Sequence, residues 1–273
     1  MVTGFYKGGF HQVFASCLRQ ALLSARGIAA MSIIVALIAA SGADKILEAV
    51  REGWTMPYGY PIQYVIDGLD SDAMMFFLPL VCALPYASGY VEDLKSGMVK
   101  LILPRTTRRS YLLGKIIACM VSGGLVVVTG IAIAVLLALP FLHPLEEAAA
   151  AEGGLAASEV MTMRIHELTV SLMSKAVLFF MSGMLWSGFG MLASSMSENG
   201  YVAFISPFIL YYLLVIICER YFTDMRVFYP KEWLSPGEWW PFGNTGVALW
   251  VSELMLIFTV LFMIKGENRL NRL

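Results

Sequence analysis

Charge is scarce in this chain. Of 273 residues only 14% are Asp, Glu, Lys or Arg, against about one quarter in a soluble globular domain. With 58% hydrophobic residues and a mean hydropathy of +0.71, the shortage excludes an ordinary soluble fold and predicts an all-α membrane protein. The net charge of −1 says nothing about nucleic acid, but the cations are dispersed among loops that flank apolar runs, which excludes nucleic acid as a partner. Paired cysteines are also missing. Cys17, Cys82, Cys119 and Cys218 lie in or beside apolar runs and form no CxxC, so they read as small packing residues and not as metal ligands or disulfides. Catalytic motifs are missing too. Without GxxxxGK[ST] the chain cannot cradle ATP phosphates in the P-loop manner. The stretch MRIHEL around His166 lacks the second histidine of HExxH, no serine sits in a GxSxG elbow, and His11, His143 and His166 are far apart. No enzyme activity and no cofactor is expected in this chain. The N-terminal stretch has no short apolar core followed by small residues, so no cleavable leader is expected.

What the chain has is apolar runs. Six candidate spans fall at about 27–43, 73–91, 116–142, 168–197, 201–218 and 246–264, within a single transmembrane domain covering 1–273. About 20 residues cross a bilayer core of about 30 Å. Residues 1–26 are too polar to span, but Phe10, Val13, Phe14, Cys17, Leu18 and Leu22 share one helical face. That pattern predicts an interfacial helix meeting the first span at an elbow. Pro79 and Pro85 predict a kinked or locally opened second span. Gly123, Gly124 and Gly130, and the small-residue stretch SGMLWSGFGMLASS, predict close helix contacts. An external helical hairpin broken at Gly153–Gly154 is expected before the fourth span. The aromatic, proline-punctuated stretch 219–244 reads as re-entrant or surface-lying helices before the sixth.

Orientation follows from the cations. The N-terminal segment, the loop 92–115, the turn at Glu198 and the C-terminus hold twelve of the nineteen Lys and Arg; the opposite loops hold seven, with fifteen acids. Cytoplasmic loops are the basic ones, so both termini are expected in the cytoplasm, with the chain in the inner or plasma membrane. Glu92–Lys115 alone supplies six cations and carries apolar residues at helical spacing, as a short helix outside the bilayer would.

The stretch LPLVCALPYASGYVEDLKSGMVKLILPRTTRRSYLLGKIIACMVSGG resembles the integral-membrane subunits of ABC-2 type ATP-binding-cassette exporters. The matching features are a second span ending in Glu92, the step Ser96-Gly97, a leucine-rich turn Leu101-Ile102-Leu103-Pro104-Arg105, then Arg109-Ser110-Tyr111 and Lys115 at the start of the third span. The resemblance implies six spans with an N-terminal elbow helix, and a permease that pairs with a second copy of itself. Each copy would dock on a separate ABC ATPase that holds ATP and Mg. Glu92–Lys115 would be the coupling helix: Met98, Leu101 and Ile102 would give apolar contact, and Lys95, Lys100, Arg105, Arg108 and Arg109 charge. The other reading of those cations is topology and headgroup binding.

Candidate cargo-path residues are Met74, Met75, Phe76, Phe77 and Tyr86 on the second span and Phe204, Phe208, Tyr211 and Tyr212 on the fifth. Aromatics and methionines suit a variable amphipathic cargo, and equally suit ordinary packing. Glu253 lies within the sixth span, either touching cargo or a cation, or reaching the interface or Lys175. The resemblance implies an amphipathic peptide, bacteriocin or drug as cargo, with a lipid-linked glycan or sodium as alternatives. A secondary transporter, a channel or a scaffold are alternatives from other classes.

Overall fold

The computed structural model describes residues 10–43, 47, 51, 61–104, 106–139, 154–197, 199–221, 226–237 and 240–271, with the backbone alone for 154–161 and 226. Among these residues the chain is all helical. Four helices are long and apolar enough to cross a bilayer, and a bent pair at the N-terminus is a fifth such unit. This is the architecture of an α-helical, multi-pass membrane protein.

The helices run in chain order as α1 (Phe10–Leu23), α2 (Ala25–Ser41), α3 (Pro61–Leu69), α4 (Asp72–Ala83), α5 (Gly89–Lys95), α6 (Met98–Ile102), α7 (Arg108–Ala138), α8 (Gly154–Met196), α9 (Gly200–Arg220) and α10 (Gly243–Leu270). Two 3-10 turns, Arg226–Phe228 and Pro230–Trp233, lie before α10. Side-chain caps set several of the starts: Ser24, Ser71, Thr107 and Asn199 each accept a backbone N–H from the first turn they precede.

Helices α7 and α8 form the central pair, and glycine sets how closely they approach. A Cβ on Gly123 would meet the carbonyl oxygen of Gly183 at 2.7 Å, and one on Gly124 the carbonyl oxygen of Phe180 at 2.8 Å. Ser187 Oγ donates to the carbonyl of Cys119 at 2.8 Å across the same contact. With the backbones this close, dispersion and a buried hydrogen bond supply the attraction that water would otherwise drive. Around this pair, α1 and α2 pack on α7, α9 and α10 pack on α8, and α4 lies between α8 and α9. The core divides into two clusters. One is centred on Trp186, Phe179 and Leu78; the other, on Tyr90, Tyr111 and Phe262, sits at the end where the cations gather.

Several expected boundaries move. The stretch 73–91 is not one helix: α4 ends at Ala83, residues 84–88 are a turn, and α5 starts at Gly89. Pro85 sits in that turn and has no N–H with which to continue the ladder. The third long helix begins at Arg108 rather than about 116, because Thr107 caps it and the charged first turn extends past the apolar run. Leu168 is not a start either. Helix α8 runs unbroken from Gly154, since no proline or glycine follows until Gly183; the first arm of the expected hairpin lies outside the described residues. At the other end α10 reaches Leu270 instead of 264, as its charged last turns find partners on neighbouring helices. Helix α1 bends by 55° from α2. Its Cys17 and Ala21 are buried, and Val13 packs against Gly114 of α7. In the aromatic stretch 219–244, Trp233 is buried and stacks on Trp186 at 6.1 Å, so this segment enters the bundle; Phe222 and Trp239 lie outside the described residues.

Candidate functional site

The segment from Glu92 to Lys115 is built from three helical pieces. The last turn of α5 carries Glu92 and Lys95. Ser96 and Gly97 then form a turn, with Gly97 at φ 72°, a left-handed conformation that glycine adopts without strain. Helix α6 follows, one short turn with two faces. Val99 is buried and Ile102 and Leu103 are half-buried against the cluster behind it, while Met98 is 48% and Leu101 69% exposed. Lys95, Lys100 and Pro104 are exposed beside them; Arg105 lies outside the described residues. Arg108 and Arg109 open α7 and are held by α10. Arg108 donates to Asn271 Oδ1, and Arg109 pairs with Glu267 at 3.0 Å.

Behind α6 lies a buried ion pair. Lys115 is 1% exposed, and its ammonium donates to Asp93 of α5. Tyr111 Oη donates to the same carboxylate at 2.8 Å. The ammonium also lies over the Tyr86 ring, 5.0 Å from its centroid. A lysine this deep is tolerable only with a charge partner and a good hydrogen bond. Beside it Arg26, at the start of α2, pairs with Glu92 at 2.6 Å and donates to Ser88 at 3.0 Å, while Ser88 donates to Glu92 at 2.8 Å. Burial raises the affinity of Glu92 for a proton. The hydrogen bonds from Arg26 and Ser88 and the charges of Arg26 and Lys115 outweigh it and hold the carboxyl below its ordinary value. The helices at either end of this segment are thus fastened by charge, α5 to α2 and α7, and α7 to α10, with one apolar-and-basic face of α6 left outward.

The expected cargo-path residues do not form one lining. Phe76, Phe77, Phe208 and Tyr212 do meet: Phe76 makes edge contacts with Phe77, Phe208 and Tyr212 at 4.9–6.1 Å between α4 and α9. Met74 and Met75 are buried in the core. Tyr211 turns inward against Trp186 at 5.6 Å. Tyr86 and Phe204 belong to the cation-rich end instead, under Lys115 and Arg26 respectively. Glu253 is exposed on α10, which packs on α7 and α8, so it does not join the aromatic group between α4 and α9. Nor does it meet Lys175, whose ammonium donates to Asp70 and, at 3.1 Å, to Ser235.

The chain matches no known family, no characterised protein and no solved structure.

Sequence reasoning passed over Asp93, Arg26 and Ser88 and treated Lys115 as a mere span boundary. One signal was available: Tyr111 and Lys115 are one helical turn apart, so both fall on the same face of α7, and both reach Asp93. Arg26 lies 66 residues from Glu92, and nothing local in the sequence links them.

Proposed function

We propose that this chain is the permease subunit of an ATP-driven exporter of the ABC-2 type, working as a pair of copies with separate cytosolic ATPase subunits that bind ATP and Mg. The observation that carries the reading is α6. It is a short helix with two exposed apolar side chains, Met98 and Leu101, and one exposed lysine, Lys100, and the exposed Lys95 at the end of α5 lies just before it in the chain. It sits at the cation-rich end and is anchored from behind by Val99 and the Asp93–Lys115 pair. An outward apolar patch ringed by cations, on a rigid mount, suits a groove on a soluble partner better than it suits solvent. In this reading the cation-rich end is cytoplasmic. The chain then crosses six times, with the bent pair α1–α2 giving the first crossing and the broken pair α4–α5 the second. Closure of the ATPase dimer on ATP would push α6, and the push would pass through Asp93–Lys115 into α7 and through Glu92–Arg26 into α2. The cargo would be an amphipathic peptide, bacteriocin or drug moving past the aromatic group of α4 and α9.

The test is co-purification. The chain, expressed with the nucleotide-binding subunit from its genomic neighbourhood, should bring down that subunit and show vanadate-sensitive ATPase activity. Leu101→Asp together with Met98→Asp should abolish the association while the chain still reaches the membrane. An intact complex and unchanged activity in that variant would remove α6 as the docking element.

A further inference from the structure

At the end of the bundle opposite Lys115, α4 and α9 part to leave a cavity of about 490 Å³. Phe76 and Tyr212 form part of its wall, and Asp72, Glu219 and Lys231 supply charge. Lys231 pairs with Asp72 at 3.3 Å, but the Asp72 side chain is 92% exposed, leaving most of its carboxylate open to a ligand. Glu219 accepts one hydrogen bond, from Tyr229 at 2.8 Å, and has lone pairs to spare. Two carboxylates against one ammonium leave the cavity negative. A further group on the wall is unsatisfied. Tyr211 is 2% exposed, and its hydroxyl is buried with no hydrogen-bond partner among the described residues.

We infer that this cavity is a binding site for a hydrophobic organic cation, an ammonium or guanidinium carried on an apolar body. Aromatic faces attract a cation through their quadrupoles and also take up apolar surface. Asp72 and Glu219 accept the cation's N–H groups at the open side, and the Phe76 and Tyr212 rings take its apolar body. Lys231 works against binding, so the site selects by charge as well as by shape. The inference takes its physiological sense from the exporter reading, where it specifies the sign of the cargo's charge. Binding itself requires no ATPase, so the two stand or fall by separate experiments.

The experiment measures fluorescence polarisation with the full chain in phosphatidylcholine nanodiscs, empty discs subtracted. The probes are rhodamine 6G, a cation with N–H donors, and fluorescein, an anion on the same ring system. Rhodamine should bind and fluorescein should not. Asp72→Asn and Glu219→Gln should each weaken rhodamine binding about fivefold, the effect of losing one partly exposed ion pair. Lys231→Gln should tighten it by about the same factor, a gain that misfolding cannot produce. A choline headgroup carries the same charge and the same attraction to the aromatic faces, though it has no N–H to donate. If one occupies the site, rhodamine affinity rises several-fold in galactolipid discs, which identifies a lipid cation as the resident; equal affinity in both lipids identifies a free one. Equal binding of the two dyes, or rhodamine affinity unchanged across the three charge variants, overturns the site.

Discussion

Lys115 is the residue on which the cation-rich end depends. It is buried to 1% exposure, while the side chain of its partner Asp93 is 20% exposed. The two halves of the pair are therefore not equivalent to lose. Asp93→Ala leaves an ammonium with no route to water and should cost about 3 kcal/mol, within the range for breaking a buried pair. Lys115→Met leaves a carboxylate that can still reach solvent and accept from Tyr111, so it should cost less. SDS titration or thermal unfolding of the purified variants would show the order; a reversed order would mean the pair is not the anchor. Glu92 makes a prediction in pH. Its carboxyl is held below the ordinary value in the folded chain, so it contributes stability above the usual glutamate pKa of about 4.3 and loses it as pH falls through the folded value. The melting temperature of the native chain should drop more steeply below about pH 4.3 than that of Glu92→Gln. Parallel acid limbs would show that the Arg26–Glu92 contact adds nothing. None of these long-range pairs was visible as a spacing, because burial in three dimensions, not separation along the chain, decides which charges need partners.

Among the elements, the α7–α8 crossing and the α5–α6 turn behave differently. Gly123→Val would drive a side chain into the backbone of Gly183, which cannot yield as a flexible side chain can. It should destabilise the chain by about 1–3 kcal/mol. Gly97→Ala puts a Cβ into open space but at positive φ, so its effect is strain of about 1 kcal/mol confined to the turn before α6. Fluorescence-detected size exclusion after heating should rank Gly123→Val as the more damaging. The glycines were readable from the sequence because small residues at a helix crossing need no knowledge of the partner. Helix ends were less readable. Hydropathy sees only the apolar stretch, whereas α7, α8 and α10 continue through Arg108, His166 and Glu267 wherever caps, partners or the absence of a breaker let them.

At the scale of the whole molecule, the described residues have an all-helical build with several bilayer-length helices, as composition and the long apolar runs predicted. Which side faces the cytosol is a proposal with a direct check. A single cysteine placed at exposed Lys100, on a background where buried Cys17, Cys82, Cys119 and Cys218 are replaced, should react with impermeant maleimide only in inside-out vesicles. Reaction in intact cells would reverse the orientation and end the docking proposal for α6.

The last helix has one more consequence, for the order of assembly. Arg269 donates to the carbonyls of Ser195 and Ser197 at 3.1 and 3.0 Å, and Glu267 and Asn271 hold the two arginines that open α7. These residues leave the ribosome after the other described helices. Until they arrive, the final turn of α8 keeps bare carbonyls and the start of α7 lacks its clasp. A nascent chain stalled short of α10 would thus keep both of these ends open, and the arrival of α10 would close them together.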